Sequence, residues 1–143
     1  MQTFLPYADY YRCASCLDYK RLGKQRVEVL QILDTNIRHK KPWSKHPAVI
    51  MWSDYLYSLT EYGIIICQEW IALGYKDTCL DKILMFREQL SVSNKEPHWL
   101  GNPALHSSHR AALLYKDYDW YSQFEWSETP LINYYWPIEN YKS

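Results

Sequence analysis

The stretch Leu17-Asp18-Tyr19-Lys20-Arg21-Leu22-Gly23-Lys24-Gln25-Arg26-Val27-Glu28-Val29-Leu30-Gln31-Ile32-Leu33-Asp34-Thr35-Asn36-Ile37 decides the fold. Leu22, Val29, Leu30 and Leu33 recur at helical spacing and make one apolar face, and Asp18 stands where an N-cap belongs. The spacing predicts a helix over residues 17–37. At 100° per residue Arg21, Gln25 and Glu28 share a sector beside that apolar stripe, whereas Arg26 points almost along the stripe with Leu22 and Val29. Charge therefore enters the core side of the helix, the setting in which perturbed pKa values arise. Gly23 costs about 1 kcal/mol against Ala inside a helix, which makes sense if something approaches the backbone closely. The ordinary alternative pairs Lys24 with Glu28 at i,i+4 and lets Arg26 snorkel, worth roughly a few tenths of a kcal/mol.

Working outward, residues 1–7 are short and apolar, with Phe4 and Leu5 ahead of Pro6, and Asp9 is positioned to cap a turn that ends at Cys16. Residues 39–44 form a basic loop. Pro47 then opens a long helix carrying Val49, Ile50, Trp52, Tyr55, Leu56, Leu59, Trp70 and Leu73, closed by Gly74, with Gly63 a candidate bend. A further helix is expected over residues 78–90, on Leu80, Ile83, Leu84, Phe86 and Leu90. After a polar loop, Asn102-Pro103 starts another that runs to about Tyr115. Beyond Asp117 the chain turns aromatic and irregular, a tail wrapped over the helical body. No repeat, low-complexity linker or strand run interrupts this pattern. The expected fold is all-α: a compact helical bundle with an aromatic C-terminal tail, residues 1–143 forming a single domain.

Composition narrows the function classes. Aromatic residues make up 17% of the chain, with seven Trp and fourteen Tyr. Such an excess suits interfaces, base-stacking platforms and thick helical cores alike. Lys plus Arg equals Asp plus Glu at sixteen each, so no global field draws the chain to a polyanion and any nucleic-acid site must be local. The first third supplies one: Arg12, Lys20, Arg21, Lys24, Arg26, Arg38, Lys40, Lys41 and Lys45 stand against Asp18, Glu28 and Asp34. The remainder is correspondingly acidic and includes Glu125, Glu128 and Glu139. Cys13 and Cys16 form a CxxC, but with Cys67 and Cys79 they make no zinc-ligand spacing, so reduced, buried thiols are expected. With neither a secretory leader nor an apolar stretch of membrane-spanning length, a cytoplasmic protein with no membrane partner is expected.

Two more polar constellations follow. Trp43-Ser44-Lys45-His46-Pro47 places a hydroxyl, a cation and an imidazole at a helix start, where outward N–H groups suit a phosphate; equally, Ser44 or His46 simply caps that helix. In Ala104-Leu105-His106-Ser107-Ser108-His109-Arg110, His106 and Arg110 share a face at i,i+4, with His109 one i,i+3 step from His106. These three groups suit phosphate binding or proton transfer. A helical HxxH without an HExxH glutamate is weak evidence for a metal, and hydrogen-bonded histidines supporting the tail are the plain alternative.

Together Met1-Gln2-Thr3-Phe4, the Leu17-Asp18-x-Lys20-Arg21-Leu22 to Arg26-x-Glu28 helix, His46-Pro47-Ala48-Val49-x-Met51-Trp52 and His106-x-x-His109-Arg110 resemble the small pyrimidine-dimer DNA glycosylases of the endonuclease V type. The likeness extends to Tyr135-Trp136-Pro137 and is closest to bacterial and phage branches whose function is itself inferred. It implies a compact all-α fold. It also implies a free N-terminal α-amine that forms a Schiff base with the sugar carbon of the damaged nucleotide, and a helix Glu that assists strand scission, with no metal or cofactor. An α-amine has a reference pKa near 8 against roughly 10.4 for Lys, so it supplies more unprotonated nucleophile at neutral pH. On this resemblance Glu28 is the helix carboxylate and Arg21, Lys24 and Arg26 contact phosphates. His46, His106, His109 and Arg110 form a second wall, and Lys45 is a further phosphate-binding candidate. The defining enzyme exposes Thr after losing its initiator Met, whereas bulky Gln2 favours retention of Met1, making the Met1 amine the expected nucleophile. The partner would be damaged duplex DNA. Two other classes stay open at this level: a module that binds a nucleotide or nucleic acid without turnover, and an interaction protein that dimerises through its aromatic tail.

Overall fold

A computed structural model describes residues 1–138, so Glu139 of the acidic tail lies outside the described residues. The helices are α1 (Tyr10–Cys16), α2 (Tyr19–Ile37), α3 (Pro47–Trp52), α4 (Leu56–Ala72), α5 (Leu80–Glu88), α6 (Pro103–Lys116) and α7 (Tyr118–Tyr121), the last running into a 3-10 turn at Ser122–Phe124. No strand occurs among the described residues, and the fold is all-α as expected. None of the described helices is long and apolar enough to cross a membrane.

Local signals account for most helix ends. The Asp9 carboxylate accepts from the Tyr11 and Arg12 N–H groups, and Asn102 caps α6 through Ala104 and Leu105 with Pro103 in the first turn. Gly74, at φ +95°, takes the left-handed conformation just past α4. Asp18 occupies the N-cap position of α2, yet its side chain makes no cap bond. It accepts instead from the Tyr121 hydroxyl at 2.5 Å and from Arg21 at 3.2 Å.

The long helix expected from Pro47 is two helices, broken at Ser53, Asp54 and Tyr55. The break has a tertiary cause. The Met51 carbonyl accepts from the indole of Trp99 at 3.0 Å, while the Tyr55 N–H turns back to the Trp52 carbonyl at 2.8 Å, so the helical ladder stops without an orphaned acceptor. Gly63 lies inside the uninterrupted α4. A Cβ there would stand 2.7 Å from Val29 and 3.0 Å from Ile83, so this glycine lets α2, α4 and α5 close on one another. The close approach expected at Gly23 also comes from the protein: the Trp70 ring lies 2.9 Å from where a Cβ would be.

Trp52, Trp99, Tyr62 and Tyr121 are fully buried, which assigns a good part of the aromatic excess to the core. Trp52 and Trp99 meet edge to face at 4.8 Å. All four cysteines are free and buried. Cys13 donates to the Tyr7 carbonyl and Cys16 to that of Cys13, and burial pushes both thiols up, Cys16 to about 12.

The unusual feature is the N-terminus. Gln2, Thr3, Phe4 and Leu5 are buried in a segment that is neither helix nor strand and has no strand beside it. A buried backbone needs partners, and side chains supply them. Gln25 of α2 takes the Phe4 N–H and donates to the Gln2 carbonyl, each at 2.9 Å. From α4, the Tyr62 hydroxyl donates to the Phe4 carbonyl at 2.8 Å. On the α6 side, His109 Nδ1 accepts from the Leu5 N–H at 2.9 Å, His106 Nδ1 reaches the Leu5 carbonyl at 2.7 Å, and Arg110 donates to the Pro6 carbonyl at 2.8 Å. The tail then closes over α6, with the Leu131 N–H on the Ala111 carbonyl and Glu128 accepting from Arg110 and Ser107.

Candidate functional site

A cavity of about 420 Å³ opens where the buried N-terminal segment surfaces, and Met1 and Glu28 both line it. One face of α2 supplies Lys20, Arg21, Lys24, Gln25 and Glu28, which helical periodicity brings to one side. The last turn of α6 adds Lys116, and the tail adds Ile132 and Tyr134. Four cationic side chains and a single carboxylate thus line it.

Glu28 is 7% exposed. Its Oε1 stands 3.8 Å from the Lys24 ammonium, and its Oε2 is buried without a hydrogen-bond partner. A buried carboxylate oxygen without a partner is uncommon, and it belongs to a residue that lines a cavity otherwise edged by cations. Arg21 is steadied by Asp18. Partial burial, and then the positive charges of Arg21 and Lys24, hold the Lys116 pKa below its ordinary value. Burial raises the Tyr134 hydroxyl against the opposing influence of Arg21.

His46 caps α3, accepting the Ala48 N–H on Nδ1 at 3.1 Å. Burial, and then the positive charge of the Met1 amine, lower its pKa.

Other residues singled out from the sequence have different partners. Arg26 turns away from the cavity to Asp77 at 2.6 Å and lies over the Trp70 ring at 4.4 Å. Lys45 is exposed in the loop before α3. His106 and His109 are buried beneath the N-terminal segment. His106 Nε2 accepts from the Gly101 N–H, so its Nδ1 carries the hydrogen that goes to Leu5. Burial, with a neighbouring positive charge from Arg110, lowers its pKa although the Leu5 bond opposes the change. His109 is fully buried and its pKa is pushed down to about 3, so it is a neutral acceptor for the Leu5 N–H. Arg110 is shared between Glu128 and the Pro6 carbonyl.

The structure thus brings Met1, Arg21, Lys24 and Glu28 together and sets Arg26, Lys45, His106, His109 and Arg110 elsewhere. Lys116, Ile132 and Tyr134 escaped the sequence analysis because no local pattern links them to α2. Gln25 was visible in the Arg21–Glu28 sector, but an amide carries no charge to draw attention.

A family model described as pyrimidine dimer DNA glycosylase matches residues 1–83. No curated protein and no solved structure matches the chain. The matched part contains Met1, Arg21, Lys24 and Glu28, whereas Lys116, Ile132 and Tyr134 enter the cavity from beyond it. With more than half of its length matched, the chain belongs to the pyrimidine dimer DNA glycosylase family, DNA-repair glycosylases that act on DNA carrying pyrimidine dimers.

Proposed function

We propose that this protein is a DNA N-glycosylase with coupled lyase activity on damaged bases, pyrimidine dimers foremost, and that it needs no metal. The α-amine of Met1 attacks C1′ of the damaged nucleotide; the C1′–N glycosidic bond breaks with the base taking a proton from solvent, and the sugar ring opens to an iminium as the proton lost by the amine passes to O4′. Glu28 then accepts the C2′ proton, the electron pair forms the C2′–C3′ double bond, and the C3′–O bond breaks with departure of the phosphate. Water hydrolyses the imine and returns the amine. Arg21, Lys24 and Lys116 hold the flanking phosphates, which confines cationic attraction to the cavity mouth in a chain without net charge. The damaged nucleotide must leave the base stack to enter, at a cost of about a few kcal/mol that is least for a lesion already weakly paired.

The observation that carries this reading is the shared cavity: Met1 and Glu28, whose Oε2 has no hydrogen-bond partner, line it together with Lys20, Arg21, Lys24 and Lys116. Borohydride in the presence of ultraviolet-damaged or abasic duplex is expected to trap a covalent protein–DNA adduct, with the yield unchanged by chelator. Acylating the N-terminal amine should abolish trapping. Untagged, folded protein that gives no adduct on either substrate would overturn the proposal and turn attention to nucleotide binding without turnover.

A further inference from the structure

The polar groups that grip the N-terminal segment are more specific than burial alone requires. Gln25 is 2% exposed and one helical turn from Glu28 on the same face of α2. Its amide binds two backbone groups two residues apart, accepting the Phe4 N–H and donating to the Gln2 carbonyl. One amide thus engages a carbonyl and the N–H two residues on, the pair of groups that a neighbouring strand would engage. The amide orientation is fixed, because the N–H of Phe4 needs an acceptor and the carbonyl of Gln2 a donor. The Tyr62 hydroxyl, whose one proton is shared between the Phe4 carbonyl and Gln25 Oε1 at 2.9 Å, packs on this amide from α4, and His109 holds the next N–H, that of Leu5.

We infer that Gln25 is a positioning residue that sets the register of the N-terminal segment, so that the amine of residue 1 and of no other residue stands in the cavity with Glu28. This rests on the reading of Met1 as nucleophile. Residue 2 is 6% exposed and tied through its carbonyl, so residue 1 is the first whose amine is free to meet a substrate. A slip of one residue moves the chain by about 3.3 Å and sends each side chain to the opposite face. Reacting atoms must stand about 3–3.5 Å apart, and a misplacement of about 1 Å can cost on the order of a hundredfold in rate. Register is therefore decisive for an amine nucleophile.

The test uses the full chain with abasic duplex and single-turnover borohydride trapping. Two variants are compared: Gln25→Leu, and a chain with one extra leucine between Met1 and Gln2 that leaves the grip intact. Both are expected to trap about a hundredfold more slowly than wild type, with the Kd for the same duplex within about threefold. In the insertion variant the melting temperature should also be unchanged, because the added residue lies outside the core. An insertion variant that traps at the wild-type rate overturns the inference. If wild type itself does not trap, the nucleophile reading fails, and register is judged by amide exchange. Phe4 N–H protection that falls at least tenfold in Gln25→Leu at equal global stability supports the grip; equal protection overturns it.

Discussion

The guanidinium of Arg26 meets Asp77 Oδ1 at 2.6 Å across 51 residues of sequence, and the same group lies over the ring of Trp70. Burial would raise the Asp77 carboxyl, but the bond and charge of Arg26 and the N–H of Leu80 outweigh it and hold the group below its ordinary range. With the Asp77 side chain 5% exposed, removing the cation strands a buried charge. Arg26→Ala is therefore expected to lower stability by about 3–5 kcal/mol. Its affinity for damaged duplex should stay near wild type under conditions where it is folded. Denaturant melts and binding curves on one preparation check this, and an affinity loss without a stability loss would return Arg26 to the phosphates.

Gly23 carries a second stability prediction. Helix propensity favours Ala by about 1 kcal/mol, but a Cβ would press on Trp70 at 2.9 Å. The indole is held by its bond to the Lys76 carbonyl, by stacking on Tyr75 at 4.3 Å, and by Arg26. Overpacking of about 1–3 kcal/mol should outweigh the propensity gain. Gly23→Ala is expected to melt below wild type; a higher melting temperature would mean that the ring yields.

Glu28→Gln keeps the shape of the cavity and removes the base. Strand scission on abasic duplex should fall by at least about a hundredfold, with duplex affinity unchanged or tighter, since a carboxylate facing phosphates is gone. Product gels and fluorescence anisotropy separate the two effects. Scission at the wild-type rate would remove Glu28 from the mechanism.

Lys116 lies far in sequence from α2 yet lines the same cavity. If it contacts a phosphate, Lys116→Ala should weaken duplex binding and reduce the slope of log K against log salt by roughly one. An unchanged slope would place this ammonium off the DNA path.

His109 gives the protein an acid sensitivity with a known sign. Its pKa is about 3 folded and near 6.5 when free, so between these values the unfolded chain binds the extra proton. The contribution is complete above about pH 6.5 and is lost as pH falls toward 3, at up to about 1.4 kcal/mol per pH unit. His106 and His46 are lowered as well and act in the same direction. The ion-paired carboxyls of Asp77 and Glu128 lose their contribution at lower pH. Melts between pH 7 and 5 should show His109→Gln losing less stability than wild type, and parallel curves would contradict the buried-neutral assignment.

Sequence alone determined what depends on near neighbours. Helical spacing in residues 17–37 put Arg21, Gln25 and Glu28 in one sector with Lys24 one i,i+4 step from Glu28, Pro47 and Asn102-Pro103 marked helix starts, and Gly74 marked an end. Backbone hydrogen bonds and caps in a helix span only a few residues, and that is why these features are legible. Tertiary structure decided everything that turned on a distant partner. A cation beside an apolar stripe reads the same whether it awaits a phosphate or Asp77, and the sequence around Arg26 does not contain Asp77. The HxxHR pattern of α6 likewise carries no sign that it serves the backbone of Leu5 and Pro6. Nothing between Pro47 and Gly74 announces that Trp99 takes the Met51 carbonyl and ends α3. Buried polar groups must find partners somewhere, but only packing in three dimensions determines which ones they find.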